Sequence, residues 1–470
     1  MALLAACLAW PQQAAAFDPL GTEGDIAPGP FPATQDAASC DRGKIRKPLQ
    51  LGDVVDLALC NNPQTRALWA SARAQAATVG VNMAAYLPTL SAQASASRNR
   101  DTVGNTTVSS RSENVGLSAS YLLYDFGGRS ASVDNAKQLL VAANATRDAT
   151  LQANFLSAVQ SYYALLSARG SVLAAQAAQR SSRESLSAAQ ARYQAGVATP
   201  ADKLQAQTAL SQATLNLITA QGNERNAQGQ LANVMGFDAS QPFELVALPE
   251  TTPKPAVEQD IGKLIEEARR KRPDLAAADA QIKAAEAQLE ATRATGMPSL
   301  TLNGSLGSSR TSGAPGTSTA GIGVTLNVPL FTGFRNTYQN RVAEQQLEGK
   351  VASRDLLANQ VALDVWRAYQ TLLTNSQALR SADDLVASAA ASEEMTLGRY
   401  KAGVSGLSIV DVLNAQSALA SARQQRVAAL YNFLASRMAL AQAIGVLDLT
   451  QLDESRMDQG SDAPRAEERK

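Results

Sequence analysis

The sequence predicts a mixed α+β membrane protein made of a tandem-duplicated unit, each copy a β-hairpin carried on very long helices. Three observations predict it: landmarks that recur about 210 residues apart, helical stretches approaching 70 residues, and short stretches in which apolar and small polar residues alternate.

Composition narrows the field first. The 470-residue chain is 45% apolar but only 5% aromatic. Much of the apolar content is alanine, the best helix former, which suits thin layers of close-packed helices better than a thick core. The 42 basic and 42 acidic residues cancel, so no basic surplus exists to neutralise phosphates and no nucleic-acid partner is expected. The chain has no histidine. That excludes Ser-His and Cys-His nucleophile pairs and histidine metal sites, so no catalytic residue, metal or cofactor is expected.

The N-terminus carries an address. No run approaches 18 consecutive apolar residues, so no transmembrane helix is expected. Residues 1–16 read as an export signal, apolar from Ala2 to Trp10, with Ala14-Ala15-Ala16 as a small-residue cleavage site. The missing basic n-region leaves a start further upstream open. Leu4-Ala5-Ala6-Cys7 is the alternative, a lipobox with Cys7 acylated. Removing the signal leaves Cys40 and Cys60. In an oxidising compartment the two form a disulfide or stay as unrelated thiols. A bridge would tie the N-terminal arm, residues 17–50, to the first helix.

The duplication is read from ordered landmarks. Pro63 and Pro273, and Pro88-Thr89-Leu90 and Pro298-Ser299-Leu300, stand 210 positions apart. Arg192-Tyr193-Gln194-Ala195-Gly196-Val197 matches Arg399-Tyr400-Lys401-Ala402-Gly403-Val404 at 207, and Ala206–Leu210 matches Ala415–Leu419 at 209. The repeats are 51–236 and 261–446, joined by a linker, 237–260. The charged tail within 447–470 is expected to be partly disordered.

Each repeat has one layout. A helix of about 37 residues (51–87, 261–297) runs into a hairpin (88–126, 298–332). A long helix (about 128–195, 334–402), a glycine-containing break and a returning helix (about 201–236, 408–445) follow. At ~1.5 Å per residue the long helices would span on the order of 100 Å. Leu151, Phe155, Ala158, Tyr162 and Leu165 trace one apolar stripe; Val361, Val365, Ala368 and Leu372 trace its counterpart, with Trp366, Tyr369 and Leu373 beside it.

Each hairpin alternates with period two. The apolar positions are Leu90, Ala92, Ala94 and Ala96, then Val115, Leu117, Ala119, Tyr121 and Leu123; in the second half they are Leu300, Leu302 and Leu306, then Ile322, Val324, Leu326, Val328 and Leu330. Small polar residues fill the positions between, and Ser/Thr/Gly-rich loops are expected at 98–113 and 307–320. Such strands suit one lipid face and one watery face, or a soluble hairpin with one buried face. Four strands cannot close a barrel, and an open edge is not tolerated in lipid. Several copies must then pool strands, two giving eight and three giving twelve.

These residues resemble the TolC-like outer-membrane factor family over about residues 50–446. The signatures are Tyr124-Asp125-Phe126-Gly127-Gly128-Arg129, Phe331-Thr332-Gly333-Phe334-Arg335, Arg-Tyr-x-Ala-Gly at 192–196 and 399–403, and Ile409-Val410-Asp411-Val412-Leu413-Asn414-Ala415-Gln416. The resemblance implies a homotrimer, a twelve-stranded β-barrel in outer-membrane lipid and a helical periplasmic tunnel. It also implies a periplasmic adaptor, docked at the helix-turn tip (Gly196, Val197, Gly403, Val404). Within the family the chain is most similar to the type I secretion branch, which implies an inner-membrane ABC transporter and an unfolded RTX-type protein cargo. Multidrug efflux is the runner-up; a soluble coiled-coil scaffold is the third reading. The resemblance places Asp411 in a ring at the periplasmic aperture. Asn414 stands where the family also has an aspartate, and Tyr400 with Asp202 braces the closed state.

Other motifs carry less. Gly127-Gly128-Arg129 and Gly403-Val404-Ser405-Gly406 lack the Gly-Lys-Ser/Thr of a phosphate loop and read as helix boundaries. Arg269-Arg270-Lys271-Arg272 reads as a solvated helix end.

Overall fold

The computed structural model describes residues 18–31, 48–246, 260–404 and 406–447. The export signal with Cys7, residue Cys40, most of the linker and nearly all of the tail lie outside the described residues. The elements run α1 (Leu51–Asn61), α2 (Pro63–Met83), β1 (Thr89–Val103), β2 (Thr106–Tyr124), α3 (Gly128–Gln194) and α4 (Pro200–Val234). They repeat as α5 (Ile261–Lys271), α6 (Pro273–Ala294), β3 (Ser299–Thr311), β4 (Thr317–Asn327), α7 (Arg335–Lys401) and α8 (Ile409–Ile444).

The expected 37-residue helices are each two helices. Proline disfavours the helical region for the residue before it and has no N–H to donate. Asn62 and Arg272 accordingly adopt extended geometry, with φ/ψ of −61°/124° and −69°/123°. The breaks are packing sites. A Cβ on Gly236 would lie 2.8 Å from the Asn61 carbonyl, and one on Gly445 would lie 3.0 Å from that of Lys271. Both glycines also end a helix in the left-handed region, at φ 78° and 82°.

Arg272 is not solvated, contrary to the expectation for its basic run. Its side chain is 12% exposed, 2.7 Å from Asp274 and 3.4 Å from Asp364. It is the break itself that turns the arginine inward, onto carboxylates of α6 and α7.

The chain forms two compact units. The first combines residues 1–27, 70–146 and 276–356 and contains the sheet. All four strands are antiparallel in the order β1-β2-β3-β4, so β2 and β3 join the two repeats through pairs such as Leu117↔Leu306. The outer edges of β1 and β4 have no strand partner among the described residues. The expected loops at 98–113 and 307–320 are largely strand, and β1 turns into β2 at Gly104-Asn105. Gly104 has φ 60°, the positive value a two-residue hairpin turn needs. Below the sheet, Ala76, Val79, Ala136 and Leu140 form a small core.

The second unit combines residues 28–69, 147–275 and 357–470. Its main core gathers Val54, Leu59, Leu151, Phe155, Tyr162, Leu165, Leu231 and Met235. A separate core cluster, from the second repeat, gathers Leu264, Leu275, Val361, Val365, Tyr369 and Ile444. Beside that stripe, Trp366 stays 48% exposed. One helix, α8, is long and apolar enough to cross a membrane by composition, unlike the sequence expectation, although a third of that window is buried. Alanine-rich turns and residues packed in the unit, such as Phe433 and Met438, account for its apolarity. Cys60, near the end of α1, is disulfide-bonded.

Candidate functional site: an uncovered sheet and a four-helix turn cluster

The sheet, in the first unit, is one candidate site. Its apolar parity has no core against it: Leu90 is 73% exposed, Ile322 82% and Leu326 63%. A soluble hairpin with one buried face would hide these side chains. The other parity is a hydroxyl and amide ladder. Ser91 and Ser118 lie 2.7 Å apart, Ser309 donates to Asn114 at 2.6 Å, and Asn303 donates to Thr325 at 3.2 Å.

Where β2 meets α3, Arg129 fixes the junction. Its backbone N donates to Asp125 Oδ2 at 2.7 Å, and its Nη1 donates to the Leu122 carbonyl at 2.7 Å. The guanidinium lies 4.8 Å from the Tyr86 ring centre. Phe126 and Phe334 hold positive φ, at 52° and 62°, the only non-glycine residues to do so among those described. The conformation is uncommon for a bulky residue, and it recurs at the equivalent point of both repeats.

A separate candidate, in the second unit, is where α3 turns into α4 and α7 into α8. Both turns begin with the same cap. The Gly196 and Gly403 amides donate to Tyr193 and Tyr400, and the Val197 and Val404 amides reach back to Arg192 and Arg399. Both glycines adopt positive φ, 76° and 71°, as this capping geometry requires. Gly196, Val197, Gly403 and Val404 are all exposed. The second turn is longer, and Gly406, at φ 87°, takes up its extra residues.

Each returning helix starts on a capping box. Thr199 N and Oγ1 donate to Asp202 Oδ2 at 2.8 and 2.9 Å, and Ser408 N and Oγ donate to Asp411 Oδ2 at the same distances. These donations hold the Asp411 carboxyl below its ordinary value of 3.8. Asp411 and Asn414, three residues apart on α8, are both exposed.

Beneath the turns, Leu186, Ala189, Ala206, Tyr400, Ile409 and Val412 form one buried cluster drawn from all four helices. Tyr400 is 3% exposed. Among the described residues no hydrogen bond joins it to Asp202, whose Oδ2 receives the Thr199 donors. Arg192 engages it instead, donating from Nη1 to the Tyr400 carbonyl at 2.7 Å, with the guanidinium 4.6 Å from the ring centre. Burial raises the Tyr400 hydroxyl above its ordinary pKa, and the nearby Asp202 charge adds to this against the opposing effect of Arg192. Ser185 donates to Gln416 at 3.0 Å as a second, buried link between α3 and α8. Arg192 heads the Arg-Tyr-x-Ala-Gly motif, but nothing local in the sequence marks it as a link between the turns. Only the fold sets its side chain on a residue 208 positions away.

An apolar sheet face left uncovered points to a membrane protein, and comparison with known proteins gives it a family. The chain belongs to the outer membrane efflux protein family, whose model matches residues 54–237 and 264–446. It is 31% identical to Protein CyaE of Bordetella pertussis over 86% of each chain. It is 26% identical to the alkaline protease secretion protein AprF of Pseudomonas aeruginosa, again over 86% of each. The solved structure of the outer membrane protein VceC of Vibrio cholerae superposes with a TM-score of 0.72 at 20% identity, covering 87% of this chain and 98% of that one. The protein is thus a TolC-like outer-membrane channel that extends into the periplasm. Its family consists of transport proteins, not enzymes.

Proposed function

We propose that the protein is the exit duct of a type I secretion system. Three copies pool their four-stranded sheets into one twelve-stranded barrel, and the paired helices line a periplasmic tunnel. The turns at Gly196-Val197 and Gly403-Val404 take a periplasmic adaptor. An inner-membrane ABC transporter feeds an unfolded polypeptide through, and Asp411, repeated around the axis, rings the periplasmic aperture. The repeat boundaries, 51–236 and 261–446, belong to this reading.

The observation that carries it is the uncovered apolar parity of a sheet whose two edges have no strand partner among the described residues. Lipid covers the face, and further copies supply the edges. A protein cargo is favoured by the likeness to a protease secretion protein. The second reading, efflux of small molecules, is favoured by the description of the matching family. Deleting the gene separates them. A secretion duct predicts the loss of one or a few proteins from the culture medium with unchanged drug tolerance; an efflux duct predicts the converse.

A further inference from the structure

The sheet carries four arginines, Arg98, Arg100, Arg111 and Arg310, and strand register places all four on the apolar parity. Arg98 stands directly opposite Arg111. Arg100 is opposite Ser109, and Glu113 is opposite both Ala96 and Arg310. All four arginines are exposed. At the same levels the other parity carries the neutral residues Ser97, Asn99, Ser110 and Ser112; the charged residue on that parity, Asp101, lies further toward the turn. The outward face therefore changes abruptly along the strands. Rows such as Leu302↔Val324 and Leu117↔Leu306 are apolar; the second row of this parity beyond Leu117↔Leu306 pairs Glu113 with Arg310, and the third sets Arg111 opposite Arg98.

Two like charges directly opposite each other on one face of an antiparallel pair destabilise it unless an anion lies between them. Glu113, 2.9 Å from Arg111, offsets only part of the excess. The depth of the patch says which anion. Arg310 lies ten residues beyond Leu300, about 34 Å along the strand at ~3.4 Å per residue. At a strand tilt near 40° that is roughly 26 Å along the membrane normal, which matches the ~25 Å height of an outer-membrane apolar band. The arginines thus stand at the far rim of the apolar face, at the level of headgroups.

We propose that Arg98, Arg111 and Arg310, with Arg100 beside them, bind the phosphates of an anionic lipid in the outer leaflet. The planar guanidinium forks suit bidentate phosphate recognition. The inference rests on the barrel reading, in which this parity faces lipid.

The test uses the full-length protein in phosphatidylcholine nanodiscs, with or without diphosphoryl lipid A, and native mass spectrometry to count bound lipid. Wild type is expected to retain lipid A. R98Q/R111Q/R310Q should weaken that binding on the order of a hundredfold, because each arginine near an anionic surface contributes about fivefold. R98K/R111K/R310K should keep part of it and shows that the fold survives substitution. Equal lipid A binding by wild type and the glutamine variant overturns the site. So does a free inorganic phosphate that competes as well as the lipid does. Failure of the wild type to enter nanodiscs of either composition overturns the barrel reading instead.

Discussion

Arg192, in the last turn of α3, holds Tyr400, in the last turn of α7, by both its carbonyl and its ring, at 2.7 and 4.6 Å. One side chain thus ties together the two helix ends whose separation would open the turn cluster. A charge-assisted hydrogen bond with a cation–π contact stabilises such a junction by roughly 1–3 kcal/mol. Arg192→Ala is expected to loosen it and raise single-channel conductance in planar bilayers. Tyr400→Phe should behave like wild type, because Arg192 uses the carbonyl and the ring face rather than the hydroxyl. A silent Arg192→Ala would remove the latch.

Asp411 does two things in this account: it caps α8 through Ser408, and in the proposed trimer it charges the aperture. An asparagine at this third position of the capping box can still accept from the Ser408 N–H through Oδ1 but carries no charge. Asp411→Asn is expected to keep the cap's hydrogen bond and lose only the increment of stability due to the charge, while losing cation selectivity and block by multivalent cations; Asp411→Ala should lose the cap as well. Reversal potentials in a salt gradient, together with thermal unfolding, separate the roles. Wild-type selectivity in Asp411→Asn would leave capping as the whole role.

The pH dependence of the cap follows from the direction of the shift. The folded Asp411 pKa lies below its ordinary value of 3.8 because Ser408 donates to the charged form. A depressed folded pKa contributes stability that is present above the unfolded value and lost as pH falls through the folded one. Wild type is therefore expected to lose an increment of stability on acidification below about pH 4 that Asp411→Asn does not lose. Parallel unfolding curves for the two proteins across that range would contradict it.

Much of this was legible in the sequence because it is periodic. The stripe through Leu151, Phe155 and Tyr162 and the alternation through Leu302 and Val324 repeat at the spacings helices and strands impose. Local exceptions were harder to read. Pro63 and Pro273 mark the breaks before them, but the apolar pattern continues across both and reads as one helix. The strands outran the apolar run because backbone pairing continues through polar residues such as Asn99 and Ser110, which alternation of hydrophobicity does not mark. Arg192 on Tyr400 and Arg272 on Asp364 join distant segments, and no local pattern encodes them.

Sheet parity supplies a quantitative contrast. Val324, 60% exposed and opposite Leu302, lies on the apolar face, whereas Thr325, opposite Thr301, lies on the other. Val324→Arg is expected to destabilise the inserted protein by about 2–4 kcal/mol at mid-membrane depth, and Thr325→Arg by far less. Urea unfolding from vesicles measures both. Equal penalties would mean that neither parity faces lipid.

Cys60 is disulfide-bonded, and the expected partner is Cys40. Cys40→Ser should therefore leave a Cys60 thiol that reacts with maleimide after unfolding, while the unreduced wild type shows none there. Peptide mapping of the unreduced protein is the check. A linked peptide that joins Cys60 to another residue would reassign the bridge.

The central claim is that this sheet is one part of a barrel completed by other copies. Native mass spectrometry of the protein extracted from outer membranes in mild detergent tests it most directly. The account predicts particles of three chains that keep their β-sheet signal. A monodisperse single chain with the same signal would contradict it, because the edges of β1 and β4 would then be stable without partners.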